Sequence, residues 1–526
     1  MSPRYAYTIL QSVALAGCLL CGRVSGAQQA AGAPESAAPD SLAQSVRELR
    51  EQIRELQTAV TEIRAESQRY RAETAELRRE LAATHATAPS QTEVAAAAES
   101  ATGVDAVAGE SSAPADRATR HTAVLDEEYQ MLSGKIDDQY QTKVESASRY
   151  RVRLSGIVLL NLFSNVGTVD NIDIPELAYD RPPGAASGSF GGTLRQSQIG
   201  LEVFGPTLAG ARTRADLQLD LGGGFPRTSN GVNFGLLRLR TGTMRLDWSQ
   251  TSIVAGQDGL FFAPGAATSF ASLAEPAFSY TGNLWSWVPQ VRIEHRISTG
   301  EDSSLLLQGG ILDSQSGEPP QFNAYRTPQA GERSGQPAYA TRVAWSHTVF
   351  GQPLRVGAGG YFGRQNYGFD RNVDAWAGTA DWEFPLGRQF SLSGEFYRGR
   401  GVGGLGGGIG RSVLFSGDPS SQYSQVRALN SAGGWTQLKY RANAKLEFNG
   451  AFGQDSPYLA DLRAFQNPQS YGDPTLTKNQ GSMVNVIFRP RSDLLFSAEY
   501  RHAKTFTTDN GAYNADHVNL MMGVLF

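Results

Sequence analysis

The 526-residue chain carries 47 Lys+Arg against 51 Asp+Glu, a net charge of −4, with 40% hydrophobic residues and a mean hydropathy of −0.32. At roughly 100–200 residues per domain, this length predicts two to four units. There is no run of about 18 apolar residues for a membrane helix, and the charge balance and two cysteines exclude a strongly basic nucleic-acid binder and a disulfide scaffold. Glycine, at 58 residues, is about 11% of the chain against a usual ~7%. A β-barrel stays compatible with all of this, because its strands are too short to register in hydropathy.

The N-terminus has the layout of an export signal over residues 1–27. Arg4 supplies the positive end, Ile9 to Cys21 the apolar centre, and Ser25-Gly26-Ala27 a small-residue cleavage site. Cleavage there removes both cysteines, Cys18 and Cys21. The alternative is a lipoprotein-like box at Leu15-Ala16-Gly17-Cys18, which would leave a lipid on Cys18.

Residues 28–41 are Ala/Pro/Ser-rich and are expected to be disordered. Over 42–84 the positions Leu42, Val46, Leu49, Ile53, Leu56, Val60, Ile63, Ser67, Tyr70, Thr74, Leu77 and Leu81 alternate spacings of four and three. With Val46 at a, Arg71 and Arg78 fall at e and Glu66 and Glu73 at g. Those charges pair only between parallel chains of the same protein, so the stretch predicts a parallel α-helical coiled coil. A coil of about 40 residues would span ~60 Å. Residues 85–120 read as a flexible linker. A short helix within 121–148 follows, with Leu125, Tyr129, Leu132, Ile136 and Tyr140 on one face.

From residue 149 to Phe526 the period drops to 2. At 210–221, Ala211, Thr213, Ala215, Leu217, Leu219 and Leu221 share one face, and Arg212, Arg214, Asp216, Gln218 and Asp220 share the other. The second face is too polar for a sandwich core and suits a wall between lipid and water. Segmentation gives sixteen strands, near 150–163, 193–204, 211–221, 233–246, 251–258, 290–297, 304–312, 338–349, 354–364, 371–384, 389–398, 432–442, 445–454, 479–488, 493–504 and 514–526. Gaps after even-numbered strands are short, whereas those after odd-numbered strands include 164–192, 259–289, 313–337, 399–431 and 455–478. The fold class is therefore an all-β transmembrane barrel of sixteen antiparallel strands behind an N-terminal coiled coil. The final strand, with Val518, Leu520, Met522, Val524 and Phe526 on one face, resembles the ending of bacterial outer-membrane barrels. Trp248, Trp382 and Phe384 sit at strand ends, where interfacial girdles are expected.

Three stretches carry a wider resemblance: KVESASRYRVRLSGIVLLN entering the first strand, LRQSQIGLEVFGP in the second, and AGQDGLFFAP…NLWSWVPQVRIEHR around the fifth and sixth. In these the chain resembles the trimeric porins of the DcaP-like and phosphate-selective O and P type. The resemblance implies an exported coiled coil ahead of a sixteen-stranded barrel, and a homotrimer in the outer membrane with its coil in the periplasm. Phosphate-selective relatives line their pore with many lysines, whereas this barrel region has Lys439, Lys445, Lys478 and Lys504 only.

From residue 150 onward there are 32 Lys+Arg and 30 Asp+Glu. Strand alternation turns Arg151, Arg153, Arg212, Arg214, Arg238, Arg240, Arg292 and Arg296 towards the lumen, all in the first six strands. Guanidinium groups stay charged and grip carboxylate or phosphate with two prongs, so this wall would favour anions. The bland alternative is that these arginines pair with Asp216, Asp220 and Glu294 and fill space. The third long loop, 259–289, is the constriction candidate. It is rich in aromatics (Phe261, Phe262, Phe270, Phe278, Tyr280, Trp285 and Trp287) and either folds inward or meets a neighbouring subunit.

No catalytic or cofactor chemistry is expected. His85, His121, His295, His347, His502 and His517 lack metal-ligand spacing. Asp516-His517 reads as a girdle or lumen-mouth pair. GVGGLG at 401–406 matches GxGxxG but continues in glycine and reads as a mobile loop. The expected function is a passive channel for small hydrophilic solutes, anions favoured: organic acids such as dicarboxylates, or phosphate. The alternative is a structural anchor, with the coil tethering outer-membrane lipid to peptidoglycan. Nucleic acid is not an expected partner.

Overall fold

The computed structural model describes residues 151–225, 235–318 and 326–526. The signal, coiled coil, linker and helix read from the sequence lie outside the described residues.

Sixteen antiparallel strands close into a barrel: β1 (Arg151–Val166), β2 (Gly188–Thr193 and Gln198–Leu208), β3 (Ala211–Asp220), β4 (Arg238–Asp247), β5 (Thr251–Gly259), β6 (Trp287–Gly300), β7 (Ser303–Leu312), β8 (Ala338–Val349), β9 (Gln352–Asn366), β10 (Asn372–Pro385), β11 (Phe390–Arg400), β12 (Asn430–Arg441), β13 (Leu446–Pro457), β14 (Leu476–Arg491), β15 (Leu494–Thr507) and β16 (Ala512–Leu525). Each strand pairs with its sequence neighbours, and β1 closes the ring on β16, from Ile157↔Leu525 to Val166↔Asp516. All sixteen expected segments are present. The second starts earlier than expected, at Gly188, and is broken at 194–197; the fourth starts at Arg238.

The alternation sorts side chains as the period-2 pattern requires. Val158, Leu162, Leu201, Leu217, Ile293, Val343, Phe396, Val484, Leu520 and Met522 are exposed on the outer surface. That is where hydrocarbon belongs around a closed sheet. The inner surface instead buries Asn161, Glu395, Gln437, Asn485, Glu499 and Asn519. Short turns such as Ala209-Gly210 and Phe350-Gly351 join strands at one end, with positive φ at both turn residues. The long connections gather at the other end.

The seam is completed by the last residue. Gly156 N donates to Phe526 O at 2.8 Å, and Phe526 N donates to Gly156 O at 3.1 Å. The Phe526 ring covers Gly156, so that a Cβ there would meet Phe526 Cζ at 2.7 Å and Gln198 O at 2.5 Å. Gly156→Ala is expected to destabilise the barrel by about 1–3 kcal/mol through overpacking. Gly378→Ala, where a Cβ meets nothing within 4 Å, should leave the heat-induced gel shift of the folded barrel unchanged. Comparing the two unfolding midpoints checks this.

Candidate functional site: the channel interior

The chain between β5 and β6, residues 260–286, folds into the barrel and is held by inward side chains from strand after strand. Leu260, Phe261, Phe262 and Ala263 pack against Leu312, Ala338, Ala340, Tyr361, Ala375, Ala377 and Tyr397. The alanines leave room that the aromatics fill, and Phe262 stacks on Tyr361 with ring centroids 5.4 Å apart. Further along, the backbone is gripped. Gly265 N donates to Glu395 Oε2 at 2.8 Å and Thr268 N to Gln437 Oε1 at 2.6 Å, while Asn485 Nδ2 donates to Thr268 O at 2.8 Å. Ser269 Oγ donates to Glu499 Oε2 at 2.6 Å. Gln196, fully buried, donates to Ala271 O at 3.0 Å and accepts from Ala274 N at 2.6 Å. Arg238 Nη2 donates to Ala274 O at 2.5 Å. A loop carrying buried backbone needs such partners.

Two other long connections also enter the barrel. Residues 167–187 are anchored by Asn479 Nδ2 donating to Glu176 O (2.9 Å) and by Ala178 N donating to Thr505 Oγ1 (2.9 Å). The glycine-rich stretch at 401–406, expected to be mobile, is packed: Val402 and Leu405 are buried, and Trp285 N donates to Leu405 O at 2.9 Å. Its glycines permit close approach rather than motion. Gly406, at φ +87, leaves no space for a Cβ, which would lie 2.8 Å from Trp285 Cδ1.

The aromatic residues of the inward loop divide by role. Phe261, Phe262 and Phe278 are buried, whereas Phe270, Tyr280, Trp285 and Trp287 are half-buried. Phe270 packs beside inward Ile157, Leu159, Ile487 and Met521. Phe261, Trp285 and Trp287 border a cavity of about 470 Å³, together with Asp258, Arg292, Arg296, Leu306, Gln308, Arg342 and Arg355. A second opening of about 410 Å³ lies among Thr268, Lys439, Arg441, Glu447 and Arg489.

The eight arginines read from the sequence fall into two groups. Arg238 chelates Asp220 (3.0 and 2.8 Å), and Arg240 lies 3.6 Å from the same carboxylate; both sit over the Trp287 ring at 4.9 Å. Arg292 reaches Asp258 (2.7 Å) and Glu294 (2.8 Å). Arg153 and Arg214 share Glu202 at 3.4 and 3.1 Å. By contrast, Arg151, Arg212 and Arg296 have no carboxylate within 4.0 Å among the described residues. Arg151 rests on Phe204 at 4.6 Å, and Arg296 reaches Ser304 Oγ at 3.3 Å. Asp216 takes the Thr243 hydroxyl, so it is not an arginine's partner.

Basic groups other than these eight also face inward: Arg245 on β4, and Arg342, Arg355, Lys439, Arg441 and Arg489 beyond the first six strands, which carry the charge around the barrel. Arg342 is tied to Asp381 in a buried two-pronged pair at 2.9 and 2.7 Å. Arg489 lies over Phe270 at 5.6 Å. Arg342 and Arg355 stand singly in short apolar runs with no pattern to flag them; only closure of the barrel gathers them with the others.

At the long-loop end buried acids gather beside Arg195, Arg238 and Arg501. Burial raises the carboxyls of Glu176, Glu275 and Asp170; two of them are pushed further by other acids, Glu176 by Glu275 and Asp170, and Glu275 by Asp170 and Asp173, whereas backbone hydrogen bonds oppose the shift at Asp170. Arg501 opposes the shift at Glu176. Tyr280 beside them is pushed up to about 12 by burial and the same acids. Asp516 and His517 point to opposite faces. Asp516 binds His502 (2.8 Å) and Tyr500 (2.7 Å), whereas His517 is buried against Asn165 (2.7 Å). They form no dyad.

No family model matches the chain, and no curated protein matches it in sequence. Among solved structures, the outer-membrane channel DcaP of Acinetobacter baumannii superposes with a TM-score of 0.52 at 17% identity, over 73% of this chain and all of that one. The barrel has the DcaP-like porin fold. Pseudomonas putida OprB (TM-score 0.44, 11% identity, 75% of this chain and 97% of that one) and the anion-selective porin from Comamonas acidovorans (0.42, 11%, 72% and 100%) are similar to a lesser degree.

Two expectations follow for this DcaP-like barrel. Gln196→Ala removes two hydrogen bonds of about 1 kcal/mol each from the inward loop; single-channel conductance should rise while the folded barrel survives. Raised carboxyls hold the 167–187 contact best below the ordinary carboxylate range, and the contribution is lost as pH rises through their raised values. Hydrogen exchange in residues 170–179, corrected for intrinsic rates, should therefore accelerate above about pH 4.5. Glu176→Gln should flatten that rise.

Proposed function

We propose that this chain is a passive outer-membrane channel that conducts small hydrophilic solutes and favours anions, with organic acids such as dicarboxylates, or phosphate, as its cargo. The supporting observation is an imbalance in the short-turn half of the lumen. There the acids already have basic partners: Glu202 with Arg153 and Arg214, Asp247 with Arg245, Glu294 with Arg245 and Arg292, Glu383 with Arg355, and Glu447 with Lys439 and Arg441. Arg151, Arg212, Arg296 and Arg489 have none within 4.0 Å among the described residues. Unpaired guanidinium groups beside a narrowed, water-filled path attract anions and can hold a carboxylate or phosphate with two prongs.

On this reading the 260–286 loop sets the size limit. The arginines set the sign of the solute, and the concentration gradient alone drives transport. Subunits associate as a homotrimer, joined below the membrane by the parallel coil of residues 42–84.

Single-channel recording in a planar bilayer, with the reversal potential taken under a salt gradient, tests the proposal. Openings in threes with an anion-favouring reversal potential are expected. Arg212→Gln and Arg296→Gln should each lower the anion-to-cation permeability ratio by roughly fivefold or less, the worth of one screened charge contact. A cation-favouring potential, or a barrel closed at every voltage, would refute it.

A further inference from the structure

On the outer surface of β14, β15 and β16, above the apolar rows, two lysines converge. Lys478 Nζ lies 4.0 Å and Lys504 Nζ 5.2 Å from the centroid of the Phe506 ring. Neither has a carboxylate within 4.0 Å among the described residues. The acid on the same face, Asp516, is already engaged by His502 (2.8 Å) and the Tyr500 hydroxyl (2.7 Å). Two ammonium groups held at one ring repel each other, and among the described residues no carboxylate within 4.0 Å relieves them.

The registers place this pair in a defined sequence of rows. Val486, Ala498 and Leu520 lie side by side; next come Val484, Tyr500 and Val518, then Ser482, His502 and Asp516, then Gln480, Lys504 and Asn514. The face passes from aliphatic to a tyrosine to polar and then basic, at the long-loop end of the strands. That order matches the passage from hydrocarbon to headgroup.

An independent feature lies below the lysines on the same strands. A groove of about 520 Å³, almost wholly apolar, opens on the outer surface, with Ala498 as its small floor and Leu162, Val486, Phe488, Phe496 and Met522 around it. From Ala498 to Lys504 the strand runs six residues, about 20 Å. A molecule that fills the groove with a fatty acyl chain would bring an anionic headgroup to the lysines.

We infer that this face is a binding site for a phosphorylated, multiply acylated glycolipid of the outer leaflet, its phosphate on Lys478 and Lys504 and one acyl chain in the Ala498 groove. The inference rests on the outer-membrane placement of the barrel but not on its selectivity, since every residue involved lies outside the lumen. Charge complementarity selects a net-anionic lipid, since a zwitterionic phospholipid could fill the groove but would not neutralise two lysines, and the place of the lysines at the long-loop end selects the outer leaflet.

Native mass spectrometry of the purified full chain in detergent, titrated with lipid A, tests this. Retention of lipid A by the wild type is expected, and the double substitution Lys478→Gln/Lys504→Gln should weaken it roughly tenfold or more. Dephosphorylated lipid A should bind wild type as weakly as lipid A binds the double variant. Ala498→Phe, which fills the groove and keeps both lysines, should also weaken retention. Equal retention by the double variant, or equal binding of phosphatidylethanolamine, would overturn the site. So would disulfide cross-linking of Ala498→Cys between subunits, because the face would then be covered by a second copy. Unaltered conductance of all variants in planar bilayers separates failure of this site from failure of the channel reading.

Discussion

Phe526 completes the ladder that runs from Val166–Asp516 to Ile157–Leu525, and with it the ring of sixteen strands. A sheet in hydrocarbon has no water to satisfy a free edge, and each unpaired amide there costs several kcal/mol. Closure is therefore the condition on which the other features depend. It turns one face of every strand to lipid and the other inward. It also brings residues distant in sequence, such as Asn161 and Asn519, side by side.

Closure also creates an interior that must be filled without a conventional core. The inward face holds amides, hydroxyls, carboxyls and alanines; the polar groups receive loop backbone and the alanines receive loop aromatics. Gln196, Glu395, Gln437 and Asn485 act as fixed hydrogen-bonding partners for the backbone of residues 265–274, and Glu499 takes the Ser269 hydroxyl. The alanines of β8 and β10 accept Phe261 and Phe262. Polar groups on the wall and aromatics on the loop are complementary: the wall supplies hydrogen bonds the loop backbone needs, and the loop supplies the apolar bulk the wall lacks.

The interior of the barrel carries charges of both signs. Carboxyls of Asp170, Glu176 and Glu275 lie near the long-loop end, where burial, and for Glu176 and Glu275 also repulsion from neighbouring acids, keeps them protonated more than an exposed acid would be. Arginines dominate the short-turn half and are partly neutralised by neighbours. Arg151 rests on the Phe204 ring and Arg489 on that of Phe270. Such contacts hold a guanidinium in place while leaving its charge unopposed.

The barrel itself was legible because period-2 alternation is a local property. Leu217 and Asp216 lie on opposite faces whatever the rest of the chain does, and turn and loop lengths separate the two ends. The inward direction of the eight arginines followed from the same rule. What they touch did not. Whether Arg238 meets Asp220 or Arg214 meets Glu202 depends on register between strands, and a residue's cross-strand neighbour is not visible in its own strand. Arg342, Arg355 and Arg489 went unread because their membership of one lumen depends on which strands close on which. The 401–406 glycines looked mobile because a glycine run has no side chains to show packing; only the tertiary fold places Trp285 against Gly406. Sequence alone thus determined which face each residue takes and how many strands there are. Tertiary closure decided which loops enter the barrel and which charges remain unpaired, because both depend on contacts between residues far apart in the chain.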